Sequence, residues 1–249
     1  MQVEWEVTLK CNYRCVYCTN LDPSLKPVED RAVLRSFIQG LGEQYPGVEV
    51  FVFGGEPFIH PHIGYIIECF NEFEIPFVIQ TNFSRKSVKV MKTITQPFMI
   101  QISIHPTEVK LKTLEQLFKT PADIRIIDVM YSGKPALEYY FKVKELAPDT
   151  AVYLTPVTDF GDGVSNVALL EYNLLKRNPN YQKFIEFEHI QRLGQDRSDL
   201  WIDPDFTPRG KPCLYNGKYF LYGPNLELYN CCYRTKHNGI CNHDKCFLM

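Results

Sequence analysis

The chain has 249 residues, 45% of them apolar and 22% charged, and a formal net charge of −2. That length suits one larger α/β domain, with or without an appendage, and the near-neutral charge speaks against a sequence-independent nucleic-acid binder, which needs a basic surplus. No apolar run approaches the roughly 20 residues of a membrane span. Met1 leads straight into a polar-alternating stretch rather than a signal peptide, so a soluble, cytoplasmic protein is expected.

Read for period, strand and helix signals alternate along most of the chain. Strands are expected at 3–9, 48–53, 76–81, 98–104, 124–130 and 151–157, with helices at 29–44, 61–73, 86–94, 107–119 and 135–147 between them. In the first helix Val33, Leu34, Phe37, Ile38 and Leu41 share one face. Pro46 and Gly47 then stop it. Such alternation implies a mainly parallel sheet with right-handed crossovers, either doubly wound or a barrel. Periodicity does not choose between them, but in both the chemistry sits at the carboxyl ends of the strands.

That is where the unusual residues fall: "CNYRCVYC" (11–18) after the first strand, "GGEP" (54–57) after the second, "TN" (81–82) after the third and "SIHP" (103–106) ending the fourth. Beyond residue 160 the alternation fades. A loop, "DFGDGVSN", leads to a helix near 164–176, and "KFIEFEHI" (183–190) reads as another strand. From about Asp203 the chain is rich in Pro, Gly, Asn, Tyr and Cys, with short strand-like pieces "KYFLY" and "LELYN". This part is too poor in aliphatic residues to fold well alone, as expected of a small metal-organised appendage.

The nine cysteines are the compositional anomaly. Cys69 stands alone on an apolar helix and reads as core. Cys11, Cys15 and Cys18 form one cluster, and Cys213, Cys231, Cys232, Cys241 and Cys246 crowd the end. In a reducing compartment, clustered cysteines hold metals or do redox work more often than they pair as disulfides. Three thiols are one too many for a disulfide and one too few for a closed tetrahedral or cubane site. An iron–sulfur cubane held by three thiolates leaves one iron open to a small chelating molecule. The alternatives are a buried helical face of cysteines, or zinc with a distant fourth ligand.

Cys11-x3-Cys15-x2-Cys18, with Tyr17 before the last cysteine, resembles the signature of the radical S-adenosylmethionine (SAM) enzymes. The resemblance implies a 4Fe–4S cluster on the three cysteines, SAM chelated to its open iron, and reductive cleavage of SAM to a 5′-deoxyadenosyl radical that abstracts a substrate hydrogen. It implies a partial (β/α)6 TIM-like barrel, which resolves the choice of topology. It assigns Gly54, Gly55, Glu56 and Pro57 to the motif whose backbone meets the SAM amino group. Asn82 is then a residue facing the cofactor, and Ser103 and His105 belong to the segment that meets ribose and carboxylate; a histidine at a strand end is otherwise a structural residue. Arg192, in "IEFEHIQRLGQ", is either a partner for a carboxylate of SAM or substrate or a surface ion pair. An electron donor such as flavodoxin or ferredoxin is also implied.

The tail resembles the SPASM or twitch appendage, a β-hairpin and helix around an auxiliary 4Fe–4S cluster. Cys213, Cys231, Cys241 and Cys246 are the implied ligands, with Cys232 spare or replacing Cys231; zinc on the same cysteines, with His237 or His243, is the competing reading. The turn "GPNLELYNC" lacks the family's usual Asp-Gly, and the Cys241-x4-Cys246 spacing is wide. The domain division expected is 1–200 for the barrel and 201–249 for the appendage. Relatives of this type modify peptides or proteins, or small carbohydrate- or nucleotide-like molecules. The chain begins on its first expected strand, without the extension common in peptide maturases, which tilts the expectation toward a small molecule, or a peptide presented by another protein. Residues 209–249 hold six Lys/Arg against two Asp/Glu, either a solvated face or a meeting point for an anionic substrate. A glycyl-radical activase, or a non-catalytic iron–sulfur or zinc scaffold, are the other functions weighed.

Overall fold

The computed structural model describes residues 2–15, 17–18, 25–119, 121–157, 164–186 and 219–229. Six strands follow the expected order: β1 (Gln2–Thr8), β2 (Val50–Gly54), β3 (Phe77–Thr81), β4 (Met99–Ile104), β5 (Asp123–Tyr131) and β6 (Ala151–Pro156). Each pairs in parallel with the next. The connecting helices α1 (Arg31–Gln44), α2 (Ile63–Glu72), α3 (Arg85–Met91), α4 (Leu114–Leu117) and α5 (Pro135–Leu146) lie between them, followed by α6 (Val164–Arg177) and α7 (Pro179–Gln182). The α/β class is as expected, and the sheet is open rather than closed, the form of a partial barrel.

Two further strands come from the tail. β7 (Tyr219–Tyr222) pairs in parallel with β1, and β8 (Leu228–Tyr229) pairs antiparallel with β7, giving the order β6-β5-β4-β3-β2-β1-β7-β8. The hairpin expected in the tail is present, but as the edge of the main sheet. Tyr222 anchors it: its hydroxyl lies 3.1 Å from that of Tyr45, and its ring meets Phe37 edge-on at 5.0 Å.

Local sequence explains the elements. Asp30 caps α1 by accepting from the N–H groups of Ala32 and Val33. The face of α1 that meets the sheet carries Leu34, Ile38 and Leu41, and Trp5 of β1 packs edge-on against Phe37 at 5.0 Å. Val33 is the exception to the expected face, at 46% exposed. It sits one residue, about 100° of helix rotation, before Leu34, at the rim of the apolar stripe. The helix expected at 107–119 is instead a 3-10 turn at Leu111–Thr113 followed by the single turn of α4. Of the strand expected at 183–190, the described residues 183–186 are not strand, although Leu154 N–H of β6 donates to Glu186 O at 2.9 Å. No helix among the described residues is long and apolar enough to cross a membrane.

Candidate functional site

The cysteine loop leaves β1 at its carboxyl end, and β2 holds it there. Gly55 N–H donates to Thr8 O at 2.7 Å and Glu56 N–H to Lys10 O at 2.9 Å. A Cβ on Gly54 would sit 2.2 Å from Thr8 O, and one on Gly55 would sit 2.2 Å from Lys10 O. Gly54 also has φ +131°, which side-chain-bearing residues rarely adopt. Among the described residues, the glycine pair therefore lets two backbones touch: the end of β2 and the entry to the cysteine loop.

Glu56 begins a 3-10 turn with Pro57 at its first position. Its carboxylate is 0% exposed. Oε1 accepts from Phe58 N–H at 3.1 Å and Thr81 Oγ1 at 2.9 Å, and Oε2 accepts from Asn82 N–H at 2.8 Å. Burial pushes its pKa up to about 7 in spite of these donors. The side chain is committed to β3 and its own turn, and the backbone N–H to the entry of the cysteine loop.

Asn82, just past β3, faces the cysteine loop. Its Nδ2 donates to Cys11 Sγ at 3.5 Å and to Asn12 Oδ1 at 3.1 Å, while its Oδ1 accepts from Ser84 N–H at 3.1 Å. His105, just past β4, reaches the other side of the same loop. Its Nδ1 lies 2.9 Å from Tyr17 Oη and 3.6 Å from Cys15 Sγ. The Tyr17 ring stacks on the imidazole at 5.8 Å, and Tyr13 meets it edge-on at 6.1 Å. Burial lowers the His105 pKa to about 4, so the ring is neutral near pH 7.

Burial also pushes the Cys15 thiol up to about 12, and raises that of Cys11. Metal binding would therefore displace protons from thiols that the free protein holds protonated. Among the described residues no three His, Cys, Asp or Glu side chains converge on one ion position. A cubane asks for something else, since each thiolate binds a different iron. Three half-buried thiols spaced along one loop, pinned at Cys11 and Cys15 by separate strands, fit that donor set.

Ser103 belongs to the wall below the loop. Gln80 Nε2 donates to Ser103 Oγ at 3.1 Å, Gln101 Nε2 to Asp128 Oδ2 at 2.8 Å, and Thr155 Oγ1 to Asp128 Oδ1 at 3.0 Å. Asp128, Gln80, Gln101, Thr155, Asn12 and Tyr13 were not singled out by sequence. The signal was available in the first four: polar residues interrupting apolar parallel strands in "FVIQT", "MIQISI", "RIIDVM" and "VYLTP". Arg192 and the tail cysteines Cys213, Cys231, Cys232, Cys241 and Cys246 lie outside the described residues.

Residues 5–125, a little under half of the chain, match the family model of the radical SAM superfamily. Over this stretch the chain is similar to a radical SAM domain. Among solved structures, Streptococcus suis SuiB bound to S-adenosylmethionine is similar over 99% of this chain and 64% of its own, with a TM-score of 0.61 and 12% identity. SuiB bound to the precursor peptide SuiA is similar over 99% and 63%, with a TM-score of 0.55 and 13% identity. The chain thus spans a little under two thirds of the length of SuiB, and at that identity the likeness is one of fold. No curated protein sequence matches the chain.

Proposed function

We propose that the protein is a radical SAM enzyme, with Cys11, Cys15 and Cys18 as ligands of a 4Fe–4S cluster and SAM as the cosubstrate. The observation that carries this reading is the convergence of β2, β3 and β4 on the cysteine loop. The ends of these strands supply Gly55 and Glu56, Asn82, and His105 to hold it. The cluster, when bound and reduced, supplies the electron that splits SAM to methionine and a 5′-deoxyadenosyl radical able to take a hydrogen from an unactivated carbon.

The chain's own residues then orient and exclude water. Gly54 and Gly55 keep the rim of β2 free of side chains beside the loop, which leaves backbone groups to meet an amino group. Tyr17, stacked on His105, closes one side of the loop, and Ser103 stands on the wall beneath. Arg192 is proposed as a carboxylate partner.

The division into a barrel domain, 1–200, and a cysteine-rich segment, 201–249, is part of the same proposal. The segment's Cys213, Cys231, Cys241 and Cys246 would hold an auxiliary 4Fe–4S cluster, which would supply electron transfer to or from a substrate radical. A flavodoxin- or ferredoxin-like protein supplies the first electron. The substrate is a peptide or protein side chain, or a small carbohydrate- or nucleotide-like molecule. The SuiB complex with its precursor peptide makes a peptide the first class to test.

The direct test is anaerobic reconstitution with iron and sulfide, reduction with dithionite, and measurement of 5′-deoxyadenosine and methionine. Both should form in the wild type and be lost in a Cys11/Cys15/Cys18→Ala variant. No product above the cluster-free control would leave a metal scaffold instead. Iron counting on the same variant tests the tail: about four irons remaining per chain supports the second cubane, whereas zinc in their place makes the tail a structural clip.

A further inference from the structure

The cysteine loop has an exit as well as an entry, and the exit is held by residues outside every motif considered above. Residues 25–30 lead from the loop to α1, with Pro27 buried and Val28 packed against the core. Both backbone groups of Val28 are engaged. Its carbonyl faces His60 Nε2 at 3.2 Å, and its N–H donates to Pro224 O, in the turn between β7 and β8, at 3.0 Å.

His60 is 3% exposed and closes the 3-10 turn that begins after Glu56. Its Nδ1 accepts from His62 N–H at 3.1 Å. One ring nitrogen accepts and the other faces a carbonyl, so the imidazole is neutral with its proton on Nε2. Burial, which lowers its pKa to about 4, keeps it in that form.

We propose that His60 is a positioning residue for the cysteine loop. Residues 54–60 hold the loop at both ends, with Gly55 and Glu56 N–H groups on Thr8 and Lys10 at the entry and His60 on Val28 at the exit. Val28 in turn ties the exit to the turn of the tail hairpin, whose second strand ends two residues before Cys231. Fixing both ends of a ligand-bearing loop removes part of the conformational freedom that metal binding would otherwise have to freeze. The role rests on the reading that this loop carries the cluster, whereas the clasp itself does not.

The experiment uses the full chain and two readouts. Backbone amide exchange, measured on metal-free protein, compares wild type, His60→Ala and His60→Gln. In His60→Ala the Val28 amide and the 223–229 turn should exchange roughly fivefold to tenfold faster, as expected when one buried hydrogen bond is lost from a locally opening unit, while β2 amides stay protected. His60→Gln retains an amide donor able to reach Val28 O and should recover most of the protection. If the alanine variant loosens everywhere, the glutamine variant decides.

The second readout is the rate at which a chelator strips iron from the reconstituted protein. It should rise about fivefold in His60→Ala and return toward wild type in His60→Gln. Unchanged Val28 exchange in His60→Ala overturns the clasp. Faster exchange with unchanged stripping overturns the positioning role and leaves the proposed enzyme standing. If wild-type iron is not lost on removal of Cys11, Cys15 and Cys18, the enzyme reading and the positioning role fall together, while amide exchange still judges the clasp.

Discussion

The tips of β1 to β4 and the wall formed lower down by β3 to β6 are both polar, but they use polarity differently. At the tips, side chains reach across to another element's backbone or to the cysteine loop: Glu56 to Asn82 N–H, Asn82 to Cys11 and Asn12, His105 to Tyr17 and Cys15. In the wall, side chains bond to side chains on the adjacent strand: Gln80 to Ser103, and Gln101 and Thr155 to Asp128. A tip residue therefore fixes the path of a loop. A wall pair fixes only two rotamers over strands that the parallel ladder already holds. On these contacts, a change in the wall should leave the loop where it is.

The strand tip is most sensitive at Gly55. Gly55→Ala places a methyl 2.2 Å from the Lys10 carbonyl, and backbone cannot swing aside as a side-chain end can. The expected loss is about 3 kcal/mol or more by chemical denaturation, with failure to retain iron. A variant that melts like wild type would show that the tip is softer than its contacts imply.

Next in size is Glu56, whose native pKa of about 7 lies above the ordinary carboxylate value of 4.5. Between these values the folded state binds the proton that the unfolded state has released, so this group's contribution to stability is full below pH 4.5 and falls as pH rises to 7. The expected change is about 3 kcal/mol. The buried histidines His60 and His105, with pKa values lowered to about 4, act in the opposite direction between pH 4 and 6.5. Removal of the titrating carboxyl in Glu56→Gln should therefore make the rise of stability between pH 4.5 and 6.5 steeper than in wild type, read from urea midpoints. An unchanged slope would place the Glu56 pKa in the ordinary range.

How legible this was from sequence depends on the range of the interaction. The strands of the barrel were readable because β-branched runs such as "VEVFVF" and "FMIQISI" are local signals. The loop cysteines and the glycine pair were readable from their spacing and place after a strand. What the glycines touch was not: Thr8 and Lys10 lie more than forty residues away, and no period in the sequence encodes that contact. For the same reason Asn82 and His105 read as cofactor residues, while their bonds to Cys11 and Cys15 emerged only with the sheet order. The tail hairpin was visible as "KYFLY" and "LELYN", but its docking on β1 was not, because an edge strand's partner is chosen by tertiary packing of Tyr222 on Phe37 and Tyr45. A full helix over 107–119 does not form, although its signal is present, because the apolar spacing of Leu111, Leu114 and Leu117 persists in sequence through a 3-10 turn that breaks the α-helical register.

The wall predicts smaller effects. Thr155→Val keeps the shape of the side chain and removes one donor to Asp128, which retains Gln101. It should cost about 1 kcal/mol and leave iron content and the production of 5′-deoxyadenosine unchanged; a fall in either would make the wall part of the loop's support. The smallest effect sharpens the contrast by reversing its sign. Gly40 lies inside α1, and a Cβ there would meet nothing within 4 Å. Gly40→Ala should therefore stabilise the protein by about 0.5–1 kcal/mol, the helix propensity difference between the two residues. The same substitution at Gly55 should destabilise it several times as much, so the pair measures how far the cost of a methyl is set by the contact at the strand tip rather than by the residue type.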